Sequence, residues 1–316
     1  MMSKQKNGFM NKVLVTIANY DYLEYSKSLF TSAKLNGKWD GDFVLIVPEE
    51  EKDKIYEKVF NEKGIFIYYV KSLKSNPPVN FYKIYLLDEY FQKWDWIFYT
   101  DLDVMFFNKI ELDLDTRKKD YLYANSDGLS FLNQFYTKLD WGISPFNSDK
   151  TNGSISKEKK VKDLPKEISN VLMKDCEAFH NCFMLFNKRF IELNYFNKLH
   201  QTFEVYIDYF NKLLEYSVEN GMEPYKEPGS GLRDQPIFNL VFYNQWKYLD
   251  EKFVNRYPLL DKISWNMILL ENEYIDNEDY DNKIAVHFFR WCLPWDKNNK
   301  RFYPIWKETK DRFELI

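Results

Sequence analysis

Asp101 and Asp103 are the residues whose type and placement most directly suggest chemistry. They follow the run Trp96-Ile97-Phe98-Tyr99-Thr100 without a break. A continuous apolar run of this length reads as a buried strand. In extended backbone, side chains alternate with a period of two, so both carboxylates are expected to point the same way. Two carboxylates at the mouth of a buried strand repel each other unless a cation sits between them. A hard divalent ion with oxygen ligands, usually shared with substrate phosphates, is the natural occupant. The expectation is a metal–diphosphate site on an α/β sheet.

Context carries that reading, because Asp-x-Asp occurs four times in the chain. Asp40/Asp42 lie in a Trp-Asp-Gly-Asp turn, and Asp279/Asp281 in a polar acidic loop. Asp113/Asp115 alternate with Ile110, Leu112 and Leu114, which reads as a half-solvated strand with its acidic face outward. Only Asp101/Asp103 directly follow an all-apolar strand.

The elements that must position this pair alternate along the chain. Val13 to Ile17, Phe43 to Val47 and Ile65 to Val70 read as strands. Between them, Leu23 to Leu35 has helical spacing and stops at Asn36-Gly37, and Pro48 opens a charged amphipathic helix ending before Gly64. After Pro77-Pro78, Phe81, Ile84, Tyr85, Leu87 and Tyr90 predict a helix leading into the Asp101 strand. This alternation indicates βαβ units and a mainly parallel sheet, in which ligands collect at the carboxyl ends of the strands. Asn19, the Pro48 loop and Asp101/Asp103 all fall at such ends. No GxGxxG and no GxxxxGK[ST] occurs, so a metal must do most of the charge neutralisation if phosphates bind.

Further on, 125–174 holds polar turns and a lysine-rich run from Lys157 to Lys162, and reads as an excursion of the kind that covers a site. Phe183 to Phe186 is a short buried strand. Phe196, Leu199, Phe203, Tyr206, Phe210 and Leu213 form a helical stripe that packs on the core. Gly229 to Gly231 is a loop, Asp234 to Tyr243 a helix, and Ala285 to Phe288 a last strand. No internal repeat or linker divides the chain, so 1–316 is expected to be one domain.

Composition narrows the function classes. Of 316 residues, 45% are hydrophobic and 19% aromatic, ample for a large core and too much for a disordered chain. A formal net charge of −4 argues against a nucleic-acid binder. Cys176, Cys182 and Cys292 have no metal-ligand spacing and cannot all pair, which favours free thiols in a reducing compartment. The polar N-terminus lacks an apolar signal core, and no run of about 18 apolar residues offers a membrane span. A soluble cytoplasmic protein is the expectation.

Five segments, in order, resemble the family 8 glycosyltransferases of the GT-A architecture, the group of glycogenin and bacterial lipopolysaccharide galactosyltransferases. They are Phe81-Tyr82-Lys83-Ile84-Tyr85, Tyr99-Thr100-Asp101-Leu102-Asp103, His180 to Asn187, Asp234-Gln235-Pro236-Ile237-Phe238-Asn239 and His287 to Trp295. The resemblance implies a UDP-sugar donor, a glycan, glycoprotein or glycolipid acceptor, and Mn²⁺ (Mg²⁺ as the alternative) held by Asp101, Asp103 and His287. Carboxylates and an imidazole completed by diphosphate oxygens suit Mn²⁺ better than Ca²⁺ or a structural zinc. The resemblance assigns Lys83 to the donor phosphates or sugar, and Asn181 with Asp234 and Gln235 to the sugar hydroxyls. By their bare positions, Asn181 is a strand-end residue and Asp234 a helix N-cap. Asn19 and Tyr20 occupy the loop that would receive the base.

The family's last motif usually runs His-x-x-Gly-x-x-Lys-Pro-Trp. Here Arg290 and Leu293 replace the glycine and lysine, while His287, Pro294 and Trp295 remain. Arg290 could supply the missing phosphate-facing charge, a role its planar guanidinium suits. The resemblance implies retention at the anomeric carbon, favouring front-face substitution with Gln235 polarising the opposite face. An inverting reaction would need a general base, with Asp127, Asp234 and Asp175 as candidates. Trp141, Trp265 and Trp291 could stack on acceptor sugars or simply pack. Two other classes compete. An Asp-x-Asp phosphatase places its motif after the first strand of its domain, not near residue 100, and a glycan-binding relative without turnover would fit the lost lysine.

Overall fold

The computed structural model describes residues 11–73, 77–136, 164–174, 176–219, 233–257, 282–288, 293–297, 299 and 302–316. Ten strands lie among them: β1 Lys12–Ile17, β2 Asp42–Pro48, β3 Ile65–Val70, β4 Trp96–Thr100, β5 Val104–Phe106, β6 Leu122–Ser130, β7 Glu177–Asn187, β8 Trp246–Tyr248, β9 Phe253–Tyr257 and β10 Ala285–Phe288. Seven form a mixed sheet in the order β3-β2-β1-β4-β7-β6-β8. Within it, only β7 runs against the others, pairing antiparallel with β4 and β6. The remaining contacts are parallel, as the alternating sequence pattern predicts. A second sheet, β5-β10-β9, pairs β10 antiparallel to β5 and parallel to β9.

The apolar runs are continuous because the large sheet is covered on both faces. Val13, Val15, Ile17, Val44, Ile46, Ile97 and Tyr99 enter one buried cluster, and Leu14, Leu45, Val47, Trp96 and Phe98 enter the other. Helix Tyr195–Glu219 covers the first face with Leu199, Phe203, Tyr206, Phe210 and Leu213. That is the stripe expected from the three- and four-residue steps. Helix Leu23–Leu35 covers the second with Leu29, Phe30 and Ala33. At about 25 cal/mol per Å² of apolar surface removed from water, these two layers are the main favourable term in the fold.

Several local expectations need correction. Phe81 to Tyr90 is not an α-helix: two 3₁₀ segments, Val79–Leu87 and Glu89–Lys93, take its place. The first buries residues all round its axis (Phe81, Tyr82, Lys83, Ile84, Leu86 and Leu87), so no solvent-facing α-helical stripe exists to be formed. The charged stretch after Pro48 is a 3₁₀ turn, Glu49–Lys54, and then a short helix, Glu57–Asn61. Asp113 is no strand residue: it takes a positive φ of 45° and its carbonyl accepts from Thr116 N, which makes a turn. The strand containing Phe183 to Phe186 is 11 residues long. Within the excursion expected over 125–174, residues 125–130 belong to β6 and 166–172 are helical, and 137–163 lie outside the described residues. The turns at 147–154, the lysine-rich run, the 229–231 loop, Trp141, Trp265, Trp291, Asp175, Cys292 and Arg290 lie outside the described residues.

Trp295 stacks on Tyr25, with centroids 4.2 Å apart and planes at 15°, and Trp306 packs against both. The last of the motif residues therefore clamps the C-terminal segment to helix Leu23–Leu35. No described helix is long and apolar enough to cross a membrane. Neither Cys176 nor Cys182 is in a disulfide.

Candidate active site

Asp101 and Asp103 do converge, but not through strand alternation. β4 ends at Thr100, and the pair occupies the turn that leads into β5. Backbone bonds fix that turn from two sides: Asp101 N donates to Cys182 O of β7 at 2.9 Å, and Phe288 N donates to Asp103 O at 2.9 Å. The second bond continues the β5–β10 pairing, in which His287 stands opposite Val104. Pairing of the small sheet is thus what brings an imidazole from residue 287 to carboxylates near residue 100.

His287 Nε2 lies 3.2 Å from Asp103 Oδ1 and 3.7 Å from Asp101 Oδ2. All three ligand atoms fall within 4.8 Å of one another. Adjacent ligands of an octahedral ion at ~2.1 Å stand about 3 Å apart, so this donor set fits a hard divalent cation after small side-chain movements. Asp101 is oriented for that task. Its Oδ1 accepts from Tyr99 Oη at 2.5 Å and from Lys83 Nζ at 2.8 Å, which turns Oδ2 toward His287. Such outer partners fix the direction of a ligand and are part of the site.

Burial pulls the His287 imidazole toward the neutral form, but the Asp103 charge and the hydrogen-bonded Cys182 oppose it and hold its pKa well above the ordinary value. The imidazolium then serves as counter-charge to the aspartates. A ring raised in this way contributes stability that is full below the unfolded pKa of about 6.5 and is lost as pH rises through the folded value. A metal ion needs the neutral ring, so binding must release its proton. Apparent metal affinity is accordingly expected to rise about tenfold per pH unit below the folded pKa and to level off above it. Mn²⁺ titration by calorimetry in buffers of different ionisation enthalpy checks this, and a pH-independent affinity with no proton release would contradict it.

Lys83 is buried, not exposed, and its ammonium bridges Asp101 and Asp234 at 2.8 and 3.1 Å. Burial opposes its charge, yet the two carboxylates prevail and raise its pKa. The cation is thereby spent on two acidic side chains. Asp234 precedes helix Gln235–Phe242, but its side chain makes no cap bond. Instead Oδ1 accepts from Asn80 Nδ2 and Oδ2 from Asn181 Nδ2, each at 2.6 Å. The 3₁₀ period of three places Asn80 and Lys83 on one face, which is why both reach Asp234.

Gln235 donates from Nε2 to Asp127 Oδ2 at 3.1 Å and to Phe179 O at 3.0 Å. Gln134 donates to the same two acceptors, at 2.8 and 3.2 Å. The Gln235 amide is thus locked, with its carbonyl oxygen on the other side. Asn19 sits beyond β1 and accepts from Tyr22 N through Oδ1 at 3.2 Å, while Tyr20 is 48% exposed with Lys54 Nζ 6.0 Å from its ring centroid. Leu293 carries no charge to replace the motif lysine. Sequence reasoning missed Asn80, Gln134 and the pair His180/Cys182. The three-residue step from Asn80 to Lys83 was the readable signal for the first.

No protein-family model matches the chain, and no curated protein does. Solved structures match in fold. The apo form of glycosyltransferase GlyE from Streptococcus pneumoniae TIGR4 aligns with a TM-score of 0.52 and 17% identity, covering 95% of this chain and 60% of that one. The bifunctional glycosyltransferase WbbM, also apo, aligns at 0.55 and 13%, covering 95% of this chain and 50% of that one. Galactosyltransferase LgtC, solved with donor and acceptor sugar analogues, aligns at 0.54 and 14% over 95% of both chains. The chain spans three-fifths or less of GlyE and WbbM and nearly all of LgtC. It has the GT-A fold of these glycosyltransferases, an α/β architecture around a mostly parallel sheet.

Proposed function

We propose that this chain is a metal-dependent glycosyltransferase that moves a hexose from a UDP-sugar to an acceptor hydroxyl, with retention of anomeric configuration. The observation that carries the reading is the convergence of Asp101, Asp103 and His287 at the carboxyl end of β4, on a fold shared with sugar-transferring enzymes. Open α/β sheets bind ligands at that edge. The donor and acceptor sugar analogues in LgtC support a sugar donor and a sugar acceptor here.

Asp101, Asp103 and His287 would hold Mn²⁺, or Mg²⁺ in its place. When bound, the ion supplies Lewis-acid stabilisation of the departing diphosphate. The chain's own groups do the rest. Tyr99 and Lys83 aim Asp101, and Lys83 with Asn80 and Asn181 holds Asp234 ready to accept hydrogen bonds from sugar hydroxyls. Asn181 contributes to the same sugar subsite. Gln235, fixed through Asp127 and Phe179, offers its carbonyl oxygen to the face of the sugar where positive charge develops. Asn19 and Tyr20 receive the base, and by its place in the sequence motif Arg290 is the candidate to supply the charge of the missing lysine. Acceptor deprotonation falls to the leaving phosphate. Of the alternative bases, Asp127 is buried under two amide donors and Asp234 is engaged by Lys83, Asn80 and Asn181, while Asp175 lies outside the described residues.

The test is UDP release from a panel of UDP-sugars, with and without Mn²⁺. Release from one donor, dependent on Mn²⁺, is expected; NMR of the glycoside product should then show an α-linkage from an α-linked donor. Absence of both turnover and Mn²⁺-dependent UDP binding would overturn the reading.

A further inference from the structure

We infer that His180, Cys182 and His287 form a second metal site, selective for a thiophilic divalent ion of the zinc class, which borrows His287 from the aspartate pair. One ligand atom from each of the three residues lies within 4.8 Å of the other two, and all three residues are buried. The His180 and His287 rings are 5.3 Å apart between centroids. β7 supplies His180 and Cys182 from the stretch where its register against β6 shifts, and such irregularities re-aim side chains. β10 supplies His287 from the opposite side.

The chemistry of the two sets differs although they share a ring. Asp101 and Asp103 are hard oxygen donors, suited to Mn²⁺ or Mg²⁺. Two imidazoles and a thiolate select zinc, which takes three protein ligands and leaves a fourth position for water in open sites. Donor atoms around tetrahedral zinc stand about 3.4–3.8 Å apart, so the present spacing closes with side-chain rotations of roughly 1 Å. Binding exchanges the Cys182 S–H bond for an S–Zn bond and displaces the second ring proton of His287, and both protons go to solvent. An imidazole engaged there is withdrawn from Asp101 and Asp103. Zinc-class ions should therefore inhibit whatever the aspartate-bound ion supports. The binding step stands on this geometry alone; only the inhibition rests on the glycosyl-transfer reading.

Co²⁺ is the probe, added to the full chain with a non-thiol reductant. Wild type and Asp103→Asn should both show sulfur-to-cobalt charge-transfer absorption that excess Zn²⁺ abolishes. Cys182→Ala should lose that band, and His180→Gln should bind Co²⁺ at least tenfold more weakly. If Cys182→Ala fails to fold by circular dichroism, His180→Gln decides the matter through the same spectrum. Co²⁺ binding to wild type without a thiolate band, or a band unchanged in Cys182→Ala, overturns the site. In the UDP-release assay, Zn²⁺ inhibition should be relieved at least tenfold in Cys182→Ala. Absence of turnover would count against the proposed function and leave the spectral result to decide this site.

Discussion

Asp103→Asn is expected to keep the fold and lose Mn²⁺-dependent UDP-sugar turnover by about 10³-fold or more. The backbone of Asp103 carries its structural duty, accepting from Phe288 N, and the substitution leaves that bond intact. Its side chain is only partly buried, so a neutral amide there incurs little packing penalty. What is lost is one of two negative ligands to a dication. Metal stabilisation of a departing diphosphate is worth several kcal/mol, and ~4 kcal/mol corresponds to about three decades in rate. The imidazolium also loses the nearer of its two carboxylates, so His287 should titrate closer to its ordinary value. Steady-state kinetics beside a thermal melt checks the prediction. A variant melting within a few degrees of wild type, with turnover reduced less than tenfold, would remove Asp103 from the metal site.

Lys83→Met carries the largest expected cost in stability, about 3–5 kcal/mol. Methionine comes close to lysine in length and apolar stem, so most of the buried volume is kept while the charge is deleted. Asp234, whose side chain is 8% exposed, and the partly buried Asp101 would then face each other without a cation. Breaking a buried ion pair from one side costs much more than the intact pair contributes, because the surviving charge stays desolvated. Urea unfolding should show the lower midpoint. The double variant Lys83→Met/Asp234→Asn should recover part of the loss, since the amide removes one of the stranded charges. A single variant within about 1 kcal/mol of wild type would mean that the bridge contributes little.

The two charges also explain which parts of this site were legible in the sequence. Strands β1 to β4 announced themselves as β-branched or aromatic runs because the sheet is buried on both faces, and pattern alone reports that situation. Asp101 and Asp103 stood out because they end such a run. The reason assigned to their convergence was nonetheless wrong: they share a turn, and hydrogen bonds from β7 and β10 aim them. Long-range pairings of that kind leave no periodic trace. The 3₁₀ character of Val79–Leu87 was hidden for a similar reason, since a segment buried all round has no amphipathic stripe to distinguish a period of three from 3.6. Asp234 looked like a helix cap because its type and position fit one. Only the tertiary neighbours Asn80, Lys83 and Asn181 divert its carboxylate elsewhere. His180 and Cys182 lack the spacing of a metal motif, and their approach to His287 depends on strands from distant parts of the chain.

The small sheet has a consequence for the order in which the protein matures. Its central strand, β10, arrives more than 170 residues after β5, yet the pairing of the two is what completes the ligand set. During synthesis a nearly finished large sheet therefore emerges first, its acidic turn facing Lys83 and Tyr99 but not yet the imidazole. The proposed cation site would be complete once the C-terminal part docks, clamped by Trp295 on Tyr25. Chains that stop early or fail to close this seam hold the carboxylates without the imidazole, so uptake of the proposed ion would double as a record of completed assembly.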